Sequence, residues 1–173
     1  MLPLNESSPI YVRHGVIAEG PPRPHPEWHP YCEISIVLEG KGISFVGREE
    51  VWRLPGDLLL LGPGIPHWGY IHKYPLRFIT IYFLPSLLIE MGPVSDGVRI
   101  LSRFTAKQTF EQRMVRPLRP LRRRITELFS EAVREFEQKP FGWEIRLRNL
   151  LMEVMVQLLR WEVAEGRAVA AEH

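Results

Sequence analysis

The sequence contains a single cysteine, Cys32, so no internal disulfide is available to it. No stretch approaches the roughly eighteen consecutive apolar residues that a membrane-crossing helix requires. The opening residues, MLPLNESSPIYV, have neither the charged start nor the apolar centre of a secretory signal. Together these absences predict a cytoplasmic protein. A strong charge of either sign is also missing: 22 basic and 20 acidic residues leave a formal charge of +2. That argues against a chain devoted to nucleic acid. One segment departs from the balance. RMVRPLRPLRRR, residues 113–124, holds six arginines and no acid. It reads as a solvated connection between two parts of the fold in preference to a phosphate-binding patch.

What is present fits one globular domain of 173 residues, 45% hydrophobic and 24% charged. From residue 10 to about 84, short strand-like runs alternate with turn residues. The runs are IYVRHGVIA, CEISIVLE, GISFV, EVWRL, DLLLLG and RFITIYF, and the punctuation includes Gly40 to Gly42, Pro55-Gly56 and GPGIP. Such spacing predicts a sandwich or barrel. Residues 21–30 hold five prolines, which excludes a helix or a central strand and predicts a stiff loop.

Past residue 85 the period changes. PSLLIEMG predicts a short helix, and VRILSRF a short helix or strand. LRRRITELFSEAVREFEQK carries Leu121, Ile125, Leu128, Phe129, Ala132, Val133 and Phe136 at helical spacing. A second helix is predicted from about Trp143 to Glu165, stopped by Gly166. The expected division is 1–90 for a barrel, 91–117 for a connecting segment and 118–166 for an antiparallel helical pair. The last helix is apolar on more than one side, with Leu147, Leu150, Leu151, Val154, Met155 and Leu158 prominent. A helix that apolar needs burial beyond one neighbour, so these residues are expected to form a homodimer interface.

The chemistry concentrates in HPEWHPYCEISIVLEG and LPGDLLLLGPGIPHWGY. Histidine and carboxylate together suit a divalent ion such as Zn, Ni, Mn or Fe. His29, Glu33 and His67 are the candidate ligands, with Glu27 or His25 as a fourth. Hydrogen bonding of Glu33 to His29 and nearby backbone is the alternative use of the same residues. Strand alternation puts Glu33, Ser35 and Val37 on one face and Ile34, Ile36 and Leu38 on the other. If Glu33 points inward, Ser35 and Val37 line the same cavity. Tyr82, paired with Thr80 in RFITIYF, is a further candidate. Trp28, Trp52 and Trp68 are candidates for stacking on a ligand, with ordinary packing as the alternative. Cys32 should face away from Glu33 and be a packed thiol.

These motifs resemble the cupin fold, whose first motif is G-x5-H-x-H-x3,4-E-x6-G and whose second is G-x5-P-x-G-x2-H-x3-N. His29, Glu33 and Gly40 match the first; Gly56, Gly64 and His67 match the second. Glu27 stands at the first histidine position, Pro21 at the opening glycine and Ile71 at the final asparagine. The proline falls one residue late, at Pro63. Residues His29, Tyr31 and Glu33, followed by LPGDLLLLGPGIPH and then helices, resemble the effector-binding domain of AraC-type transcription regulators. That resemblance covers roughly residues 10–163. It implies a mainly β cupin (double-stranded β-helix, jelly-roll) barrel followed by C-terminal α-helices that dimerise. It implies a small-molecule effector, such as a sugar or an aromatic compound, and no enzymatic activity. DNA contact would come only through a helix-turn-helix domain, which this chain does not contain. A metal-dependent cupin enzyme of dioxygenase or isomerase type is the second reading, and a structural domain with an empty barrel the third.

Overall fold

A computed structural model describes residues 2, 4–19, 25–90, 100–105 and 108–165. The elements are β1 (Ile10–Ile17), β2 (Cys32–Val46), β3 (Glu49–Arg53), β4 (Leu58–Leu61), β5 (His67–Phe83), α1 (Ser86–Glu90), α2 (Phe110–Arg113), β6 (Met114–Val115), α3 (Arg119–Gln138) and α4 (Trp143–Ala164). The strands form one antiparallel sheet in the order β1-β5-β2-β4-β6, with β3 on β2.

Two long strands carry the architecture. CEISIVLE and GISFV, expected as separate strands with a turn at Gly40 to Gly42, are the two halves of β2. Likewise RFITIYF is only the end of β5, which begins at His67. The glycines bend the strand instead of reversing it. The β2–β5 register shifts between Val37 and Gly42, and Gly40 has φ +83. A Cβ at Gly40 would strike the backbone carbonyls of Lys73 and Pro75 on β5, so only glycine allows this approach. The first half of β2 pairs with β4 and the end of β5; its second half pairs with β3 and the start of β5. The bent sheet therefore has one face turned in on itself and one turned to the helices.

The helix-facing side is apolar at every second residue. Cys32, Ile34 and Ile36 of β2 and Ile79, Ile81 and Phe83 of β5 are buried with Ile125, Phe129 and Val133 of α3 and Leu151 and Val154 of α4. Each such side chain contributes about 1.5–3 kcal/mol relative to exposure. Pro120 sits in the first turn of α3, where its missing N–H costs nothing. Lys139 ends that helix in a left-handed conformation, its N–H donating to Glu135 O. Its ammonium lies over the rings of Phe136 and Trp143, which closes the short link into α4.

Two expectations are corrected here. Leu147, Leu150, Leu151, Val154, Met155 and Leu158 are all buried within the single chain, at 0–3% exposure. The stripe expected to meet a partner is covered by the chain's own barrel and α3, because the folded sheet presents a broader apolar face than one strand pattern reveals. Five of the six arginines in residues 113–124 are exposed, in keeping with a solvated connection, although several are held by the fold. Arg113 is buried, Arg116 bonds Trp52 O and lies 3.5 Å from Asp57, and Arg122 donates to Pro117 O. Arg123 and Arg124 pair with Glu127 and Glu153. The stretch expected to connect barrel and helices also contributes to the sheet, since β6 pairs with β4. Residues 100–102 of VRILSRF are helical; its first two residues, and Gly166, lie outside the described residues.

Candidate functional site

The inward face of the bent sheet lines an open cavity of about 230 Å³. Glu33, Ser35 and Val37 line it from β2, and Thr80 and Tyr82 from β5, as alternation from an inward Glu33 requires. Val37, Ile71, Leu76 and Phe78 supply apolar wall. The proline-rich loop delivers His29 to the edge of this space. Glu27 and His67 exchange backbone hydrogen bonds at 2.9 Å, and Gly64 N donates to His29 O at 2.8 Å. Those bonds tie the loop to the turn that carries His67.

The three residues picked out as ligands converge. His29 Nε2 is 3.1 Å and His67 Nε2 3.7 Å from Glu33 Oε2, and the ligand atoms of the three all lie within 4.8 Å of one another. Neither proposed fourth ligand joins them. Glu27 is held by its backbone with its side chain exposed, and His25 is exposed, so neither belongs to the cluster formed among the described residues.

The ring orientations are set from behind. His29 Nδ1 faces Tyr31 O at 2.9 Å, and His67 Nδ1 faces Ile65 O at 3.0 Å. A carbonyl only accepts, so each Nδ1 carries the hydrogen, and in the neutral ring each Nε2 offers its lone pair toward Glu33. Two lone pairs and a carboxylate oxygen cannot face one another without something positive between them. A proton on Nε2 satisfies that, and so does a divalent cation. Backbone carbonyls behind ligating histidines are the usual outer support of a metal site, so the N, N, O donor set fits such an ion. Burial alone pushes the Glu33 carboxyl up. The His29 hydrogen bond and the fields of His67, His29 and Arg53 more than offset this and hold it below the ordinary carboxylate value. Tyr31 stacks on His29 at 4.4 Å, and Tyr82 meets the same ring edge-on at 5.6 Å. Burial pushes the Tyr82 hydroxyl up, and the Glu33 charge adds to this, so it stays a neutral donor.

Arg53 is the residue that sequence reasoning missed. It lines the cavity at the end of β3, donating from Nη1 to Ser35 Oγ at 3.1 Å and from Nη2 to Ser35 O at 2.9 Å. Burial lowers it to about 10, with Glu33 and Asp57 partly offsetting, which leaves it charged at neutral pH. Trp52, expected beside a ligand, points the other way. It is 42% exposed, with the Lys41 ammonium 5.2 Å over its ring and His72 against its edge. Trp28 is exposed and Trp68 stacks on Phe45; neither lines the cavity. Cys32 is buried on the opposite face from Glu33, as expected.

Among the described residues no helix is long and apolar enough to cross a membrane. A comparison with curated protein sequences found no match. Parts of several solved structures are similar. The coconut allergen cocosin is 20% identical over 44% of this chain and 24% of its own, with a TM-score of 0.39. A cupin superfamily protein from Desulfitobacterium hafniense is 15% identical over 47% and 72%, with a TM-score of 0.40. The DMSP lyase DddQ from Ruegeria pomeroyi is 19% identical over 43% and 38%, with a TM-score of 0.39. The chain thus spans well under two thirds of the length of cocosin and of the lyase. The model of the AraC-like ligand binding domain family, in contrast, matches residues 16–155, from β1 into α4. With that match over most of its length, and a barrel followed by helices as the cupin resemblance implied, this chain belongs to the AraC-like ligand binding domain family.

Proposed function

We propose that this domain is the sensor of a transcription regulator and that a small-molecule effector occupies the barrel cavity. The observation that carries this is the cavity itself. It is lined by both halves of the bent sheet and combines apolar wall with convergent polar groups, as binding sites for small ligands do. Its 230 Å³ lies below the roughly 300–1,000 Å³ of sites for drug-sized ligands, which favours a small effector. In this reading Ser35, Val37, Thr80 and Tyr82 contact the effector, and His29, Glu33 and His67 close one end of the site. DNA recognition belongs to a helix-turn-helix domain outside this chain. A homodimer remains part of the proposal, but it cannot be built on the buried residues of α4.

A second reading has its own support. The converging His29, Glu33 and His67 fit a divalent cation, which would supply a Lewis-acid contact to a ligand oxygen, and that donor set is compatible with a metal-dependent enzyme. Native mass spectrometry of the protein purified without added metal tests both readings at once. A bound organic molecule, released unchanged on denaturation, is expected. A bound metal with conversion of that molecule would move the assignment to the enzyme. A cavity that stays empty against a broad metabolite panel would overturn the sensor.

A further inference from the structure

Arg53 places a positive charge inside the barrel with no carboxylate bonded to it. Its three bonds go to Ser35 Oγ, Ser35 O and Asp57 O, all neutral acceptors. The nearby acids are committed elsewhere. Asp57 accepts from Leu54 N at 2.9 Å and lies 3.5 Å from Arg116, while Glu33 faces His29 and His67. A guanidinium has five N–H donors, so donors remain. The Nε–H is buried out of reach of solvent without a partner, and Nη2 makes two of the three bonds, so the donor left for a ligand in the cavity is on Nη1.

The surroundings say what that ligand is. Beside Arg53 the lining combines apolar side chains, Val37, Ile71, Leu76 and Phe78, with the hydroxyls of Ser35, Thr80 and Tyr82. One cation with a small number of free donors matches one carboxylate, whereas a phosphate would ask for more donors and more charge. We propose that the effector is a small monocarboxylate whose carboxylate is received by Arg53 and whose apolar body rests on Val37, Ile71, Leu76 and Phe78. This rests on the sensor reading and narrows its ligand class. Ser35 then acts as a positioning residue, holding the guanidinium from two sides so that its free edge is fixed before the ligand arrives.

The test uses matched probes on the intact chain: benzoate and hexanoate as monocarboxylates, benzamide as the neutral counterpart of benzoate, arabinose, and inorganic phosphate. Calorimetric titration should show benzoate or hexanoate binding, and benzoate about tenfold or more tighter than benzamide. Arg53→Gln should erase that preference, benzoate then binding no tighter than benzamide. Arg53→Lys should retain part of it, since the charge stays but the planar fork is lost. If the variants fail to fold, the wild-type comparison of benzoate with benzamide decides alone. Benzamide binding as tightly as benzoate, or phosphate displacing it, overturns the inference. Binding of arabinose or benzamide without either monocarboxylate overturns it and leaves the sensor reading standing. Failure of every probe overturns it and counts against the sensor as well.

Discussion

Arg103 and Glu162 form an ion pair at 2.8 Å, with side chains only 13% and 6% exposed. It joins the segment around residues 100–105 to the last turns of α4, at the edge of the helix-facing core. Arg103 also donates to Gln112 O at 2.8 Å, so one guanidinium holds three parts of the chain. Glu162→Ala would leave that charge buried beside apolar neighbours. A loss of about 3–5 kcal/mol is expected in urea unfolding, against little change for the exposed pair Arg123–Glu127. Equal effects of Glu162→Ala and Glu127→Ala would contradict the buried pairing.

The α4 stripe gives a second prediction. Leu151 and Met155 are 0% and 2% exposed in one chain. Leu151→Glu/Met155→Lys should therefore unfold the protein, at a cost above about 4 kcal/mol, and not simply dissociate an assembly. Circular dichroism with light scattering on the double variant separates the outcomes. A folded, smaller species would restore the stripe to the role the sequence suggested.

His29, Glu33 and His67 make a third. With the protein saturated in zinc, His67→Ala should weaken binding by more than the roughly 10–100-fold that loss of an outer partner costs. His25→Ala should change nothing, because His25 is exposed and outside the cluster. Competition with a chelating dye measures both. Equal loss in the two variants would place the ion elsewhere.

Cys32 carries the fourth. Burial pushes its thiol up to about 12 from an ordinary 9.0. The native protein should resist alkylation near neutral pH, and full reaction should appear only on denaturation. Between pH 9.0 and about 12 the unfolded chain ionises this thiol and the folded chain does not. Unfolding then releases a proton, so Cys32 makes stability fall as pH rises above 9.0. Cys32→Ala should flatten that part of the profile; an unchanged slope would show the thiol is not responsible.

Much of this was legible from short-range pattern. The spacing of apolar residues located α3 and α4 to within a few residues, because helical periodicity repeats over several turns and Pro140 and Gly142 mark the break. Alternation from Glu33 put Ser35 and Val37 on its face of β2, because side-chain parity along a strand needs no knowledge of the partner. The match of His29, Glu33 and His67 to the cupin motifs pointed to the cluster, although not to the carbonyls of Tyr31 and Ile65 that aim the rings.

Tertiary structure decided the rest. Trp52 and Arg53 are neighbours on β3, so one faces outward and the other into the barrel. Residue type argued for the tryptophan inside, and the register of β3 on β2, with Gly42 opposite Arg53 and Ile43 opposite Trp52, settled it the other way. Whether the glycines at 40–42 reverse a strand or bend it depended on how closely β5 approaches. Whether the stripe on α4 meets a second copy or the chain's own barrel depended on the area that bent sheet presents. Local sequence sets which side chains share a face; only the folded sheet sets what that face meets, because burial is a property of the partner surface as much as of the residue.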